Sequence, residues 1–206
     1  MQLGISIIRL DLLFETISGI IALIVTIYAS NAYKITGQKK LSDLSTGFMV
    51  LSVGMFGRVI GTWYFFVRLG ASEDMTPELR TLIAIVTIAY GASRIMAYVV
   101  FAVAIRPLKR VEVQDAGALM ALAVLVDPTL EMIAIFVLVI VVIQALINYT
   151  TNRNRFALYV LVGFILLLLS HLFLAQSVIN LGMYLMSQVA QLLGFLSFLV
   201  LLYKTG

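Results

Sequence analysis

Five ionisable side chains interrupt long apolar runs in this sequence: Glu15, Arg58, Arg94, Glu131 and His171. An arginine near the centre of a membrane-spanning helix costs at least about 2.5–3.5 kcal/mol on insertion scales, so it is expected to face protein and to find a partner. Glu15 and Glu131 are the partners to expect for Arg58 and Arg94, and the four formal charges sum to zero. Desolvated charges gather where they neutralise one another, so the four are predicted to converge on one site. Such a site reads in two ways. It is a clasp of two internal salt bridges, or a polar pocket where the arginines meet an anionic carboxylate, phosphate or quinone head group, with Tyr90 and Tyr98 on its wall.

His171 is the only histidine, so one chain cannot supply a bis-histidine haem or a multi-histidine metal site. A later stripe of Tyr184, Ser187, Gln188, Gln191 and Gly194 suits hydrogen bonding between helices, leaving His171 either a satisfied buried residue or part of a proton relay. No cysteine is present, which removes disulfides and thiolate metal sites. Signatures of hydrolases, nucleotide binders and zinc peptidases are missing, and no lysine lies within an apolar run where retinal could attach. Neither catalytic residues nor a metal or cofactor is expected.

The solvent for these groups is lipid. The chain of 206 residues is 62% hydrophobic and 12% charged, against about 45–50% and about 25% in soluble domains, and its mean hydropathy is +1.09. The 48 residues from Phe156 to Tyr203 hold no Asp, Glu, Lys or Arg, enough for two passes of about 20 residues. Backbone groups in hydrocarbon must be paired within the chain, and these runs are too long for barrel strands, so the fold class is all-α integral membrane. The charged breaks give spans near 11–33, 44–67, 80–105, 129–149, 156–176 and 181–203. Arg9, Asp11 and Glu15 break the start, so the first span is expected to be retained and not cleaved as a leader.

Residues 112–126 decide between seven spans and six. If they cross, Lys34, Lys39, Lys40, Arg106, Lys109, Arg110, Arg153, Arg155 and Lys204 share one side, and only Arg9, Arg68 and Arg80 the other. If they do not cross, the basic residues split evenly. The positive-inside rule favours seven spans in the cell membrane, amino terminus outside and carboxyl terminus cytoplasmic. This orienting role accounts for the net charge of +4 without nucleic acid.

At an offset of 116 residues, Asp11 aligns with Asp127, Glu15 with Glu131, Tyr33 with Tyr149, Gly47 with Gly163 and Phe48 with Phe164. The third spans fit with Gly91 opposite Gly194. The expectation is one transmembrane domain of two three-helix units, 11–105 and 127–203, joined by a linking helix in 106–126. Small-residue faces, among them Gly54, Gly57 and Gly61, predict tight helix packing. Two functions fit. The first is a non-catalytic membrane subunit or sensory module that binds other membrane subunits or copies of itself; the second is a small transporter or channel with a midplane polar site. A lipid- or quinone-handling enzyme subunit is a lesser alternative.

Overall fold

The structure, a computed structural model, describes residues 2–71, 76–105, 127–177 and 181–205. They form six helices: α1 (Gln2–Thr36), α2 (Lys39–Ala71), α3 (Pro77–Ile105), α4 (Asp127–Asn152), α5 (Arg155–Gln176) and α6 (Leu181–Thr205). Each contains a stretch long and apolar enough to cross a membrane, and among the described residues there is no strand. This is the make-up of a multi-pass helical membrane protein. The helices outrun the apolar spans because hydropathy reports only the part matched to lipid, whereas backbone hydrogen bonding continues to a cap or turn. The candidate crossing segment 112–126 and the rest of the linker 106–126 lie outside the described residues.

Each helix packs on its neighbour in chain order, and α6 closes the ring against α1. Small residues set these contacts. On α1, Ser18, Ala22, Val25 and Ala29 are fully buried, and the Ser52 hydroxyl of α2 donates to the Gly19 carbonyl at 3.0 Å. Gly54 and Gly61 seat α2 on α3, where an added Cβ would stand 2.8 Å from Ser93 and 2.8 Å from Val86. Gly57 departs from the expected stripe. It is exposed with open space around it, because it faces a groove between α2 and α3 that no side chain fills.

Helix directions follow from the contacts. Tyr98 and Phe101 of α3 meet His171 and Phe164 of α5, so numbering rises in one helix as it falls in the other. Helices α4 and α5 are likewise antiparallel, since His171 bonds Glu131 while a short turn joins Asn152 to Arg155. Helices α3 and α4 therefore run parallel. Lys34, Lys39, Lys40, Arg153, Arg155 and Lys204 all fall at one end of the bundle, and Glu78 and Arg80 at the other. With Arg94 level with Glu131, Ile105 and Asp127 are about 22 Å apart along the axis at 1.5 Å per residue.

The two halves share local geometry at the 116-residue offset. The α1–α2 turn passes through Gly37 with φ of 67°, and the α4–α5 turn through Arg153 with φ of 44°. Gly37 N–H donates to the Tyr33 carbonyl and Arg153 N–H to the Tyr149 carbonyl, both at 2.8 Å. Buried positions coincide as well: Val25 with Val141, Ala29 with Ala145, Phe48 with Phe164, and Leu51 with Leu167.

Candidate functional site

Charged residues enter the ring from the first turns of the apolar spans of α1 and α4 and from the interiors of α2 and α3. Arg58 is held by two carboxylates: Nη2 donates to Asp11 Oδ2 at 3.0 Å and Nη1 to Glu15 Oε1 at 3.1 Å. The same Nη1 is 3.0 Å from Glu15 Oε2 but out of line for an N–H bond, so that buried oxygen has a charge contact and no hydrogen bond.

Arg94, itself buried, sits with the second carboxylate group. Its Nη1 donates to Glu131 Oε2 at 3.5 Å, and its Nη2 lies 2.8 Å from His171 Nε2. His171 Nδ1 bonds Glu131 Oε1, and the Tyr98 hydroxyl is 2.7 Å from Nε2. A neutral imidazole with its proton on Nδ1 donates to Glu131 and accepts from the Tyr98 hydroxyl at Nε2, while Arg94 Nη2, also 3.1 Å from Nδ1, lies beside both ring nitrogens. Between the two groups stands Tyr90, whose ring centroid is 5.0 Å from the Arg58 guanidinium and 5.1 Å from that of Arg94. The chain of contacts is continuous from Asp11 to His171.

A cavity of about 240 Å³ opens beside this network, lined by Arg58, Arg94, Glu131, Tyr184, Gln188 and Gln191 among others. Gln188 Nε2 donates to Asp11 Oδ1 at 2.9 Å and to the Tyr184 hydroxyl at 3.3 Å. A second cavity of about 240 Å³ lies on the other side of Arg58, between α2 and α3, with Asp11 at its edge. Toward the basic end the bundle is shut by Phe48, Phe101, Phe164, Phe195 and Phe198, all fully buried. Among the described residues no three His, Asp or Glu side chains are grouped to hold a metal ion.

No protein-family model, curated protein or solved structure matches this chain. Its residues alone carry the functional reading. Glu15, Arg58, Arg94 and Glu131 come together, and Tyr90, Tyr98, His171, Gln188 and Gln191 surround them.

Three features differ from the sequence reading. Asp11 is a full member of the site, although it reads as the charged edge of the first span; its signal was the four-residue spacing to Glu15, which puts both on one helix face. With Asp11 counted and His171 neutral, the charges of the network sum to one negative and not to zero. Along α5 the site is also nearer one end: sixteen residues, about 24 Å of helix, separate His171 from Arg155 and five separate it from Gln176, whereas Arg94 lies in the interior of α3. The carboxylates sit near the starts of their spans, and the arginines reach toward that end to meet them.

Proposed function

We propose that the protein is a non-catalytic, seven-span sensory module of the cell membrane that binds a small polar solute beside Arg58 and Arg94 and passes the event to membrane partners. The observation that carries this reading is the cavity itself, walled by polar side chains from both halves and backed by the phenylalanine plug. A plug packed by five buried rings suits a site that binds from one side and does not conduct. Of its lining residues, Thr87, Leu174 and Tyr184 lie nearest the end away from the basic residues.

The parallel run of α3 and α4 supports seven spans, because it sets Ile105 and Asp127 at opposite ends of the bundle. It also supports two units in the same orientation, since α1, α3, α4 and α6 then share one direction and α2 and α5 the other. The third helices pair through Phe101 and Phe198, which meet Gly47 and Gly163, so Ala97 and not Gly91 is the counterpart of Gly194. The basic end is assigned to the cytoplasm. Because the chain has no cysteine, Gln38→Cys and Asn152→Cys are expected to react with an impermeant thiol reagent from the same side in sealed vesicles, and Glu78→Cys from the opposite side. Reaction of positions 38 and 152 from opposite sides would overturn the parallel arrangement.

A transporter is the second reading, favoured by the position of the site between two like units, where secondary transporters hold their substrates. A screen of small polar solutes separates the readings. The lone chain in nanodiscs is expected to gain thermal stability from at least one solute, and sealed proteoliposomes to take up none of it. Uptake would move the assignment to transport; a chain that binds no solute and folds only within a larger assembly would leave a structural subunit.

A further inference from the structure

We infer that the solute carries a cationic, hydrogen-bond-donating group, of which a primary ammonium is the smallest case, held between Glu131 and Gln188. This deepens the solute-binding reading and rests on it. The first observation is charge. Among the described residues, Asp11, Glu15 and Glu131 face only Arg58 and Arg94, and with His171 as the neutral ring this set carries one uncompensated negative charge. In a desolvated cluster such an excess is unfavourable until a positive group joins it.

The second observation locates the excess. Asp11 and Glu15 each stand 3.0 Å from Arg58, and their side chains are 11% and 1% exposed. Glu131 is 24% exposed, lines the cavity, and has its arginine at 3.5 Å. It is the carboxylate that lines this cavity.

The third observation is independent of charge. Gln188 is 5% exposed and lines the same cavity, and its contact with the Asp11 carboxylate, which can only accept, fixes which way the amide points. Its Oε1 is buried with no donor. An ammonium supplies three donors and meets both needs together, whereas an anion would add charge of the sign already in excess and leave Gln188 Oε1 unmet. The arginine pair, which in sequence points to an anionic ligand, is already turned to Asp11, Glu15, Glu131 and His171.

Thermal unfolding in phosphatidylglycerol nanodiscs, which carry no headgroup amine, tests this with methylammonium and acetate at matched pH and ionic strength. Methylammonium is expected to raise Tm saturably and acetate not to. Glu131→Gln and Gln188→Met should each weaken the methylammonium response at least tenfold. Gln191→Glu, which adds a carboxylate to the same wall, should strengthen it several-fold and keeps the test informative if Glu131→Gln does not fold. Repetition in phosphatidylethanolamine identifies the source: a response lost there assigns the ammonium to a lipid headgroup, and one retained assigns it to a free solute, both within the proposal. Stabilisation by acetate or only by neutral solutes would overturn the cationic class and leave solute sensing standing. Failure of every solute, whatever its charge, would remove both.

Discussion

Arg94→Met is expected to destabilise the protein by about 3–5 kcal/mol, and Glu131→Gln in the same chain to recover most of that loss. Arg94 is 6% exposed, and its Nη1 and Nη2 are directed at Glu131 and His171. Removing the guanidinium strands Glu131 with His171 as its remaining neighbour. Neutralising Glu131 as well removes the stranded charge while keeping the volume of both side chains. Unfolding in mixed micelles of increasing dodecyl sulfate content, followed by helical circular dichroism, reads the three proteins on one scale. A double variant as unstable as Arg94→Met would show that Glu131 is not the charge Arg94 compensates. Arg58 differs in kind, because two carboxylates share it: once Arg58 is removed, neutralising Glu15 as well still leaves Asp11 without its ion pair.

That difference marks what could be read from the sequence. The pairings Arg58 with Glu15 and Arg94 with Glu131 were legible because a charge inside an apolar run has few places to go. The third carboxylate was not, since Asp11 lies where a span begins and an edge charge normally meets water or headgroups. His171 bridging Glu131 and Tyr98 was also beyond reach: periodicity assigns a residue to a face, but which two faces meet depends on the ring order of the helices. Gly57 failed for a related reason. A run of glycines at 54, 57 and 61 looks like one packing stripe, yet Gly54 and Gly61 meet α3 side chains while Gly57 faces an unfilled part of the same groove. Helix existence, by contrast, follows from length and hydropathy alone, which is why all six apolar spans fall within described helices.

The second large effect is expected at the plug, where Gly47→Ala and Gly163→Ala should each cost about 1–3 kcal/mol by overpacking. Lipid is as apolar as a leucine side chain, so helices in a membrane associate through close packing and not through removal of apolar surface from water. Four rings form the contact: Phe48 with Phe101 at 4.9 Å, Phe164 with Phe198 at 4.8 Å, Phe48 with Phe198 at 4.9 Å and Phe101 with Phe164 at 5.3 Å. Each glycine is the floor under one of them. A Cβ on Gly47 would meet the Phe101 ring, and one on Gly163 would stand 2.6 Å from the Phe198 ring; both rings are fully buried with no room to retreat. Phe101→Leu is therefore expected to relieve Gly47→Ala but not Gly163→Ala, and Phe198→Leu the reverse. Gly57→Ala, with open space around it, should stay within about 0.5 kcal/mol of the parent. Equal losses with crosswise failure of rescue would make the two contacts equivalent halves of one pinwheel, whereas a mild effect at one glycine would mean that the likeness ends at the turns. The polar network above is built unevenly on that base, with Arg58, Arg94 and Tyr90 from the first half set against His171, Gln188 and Gln191 from the second.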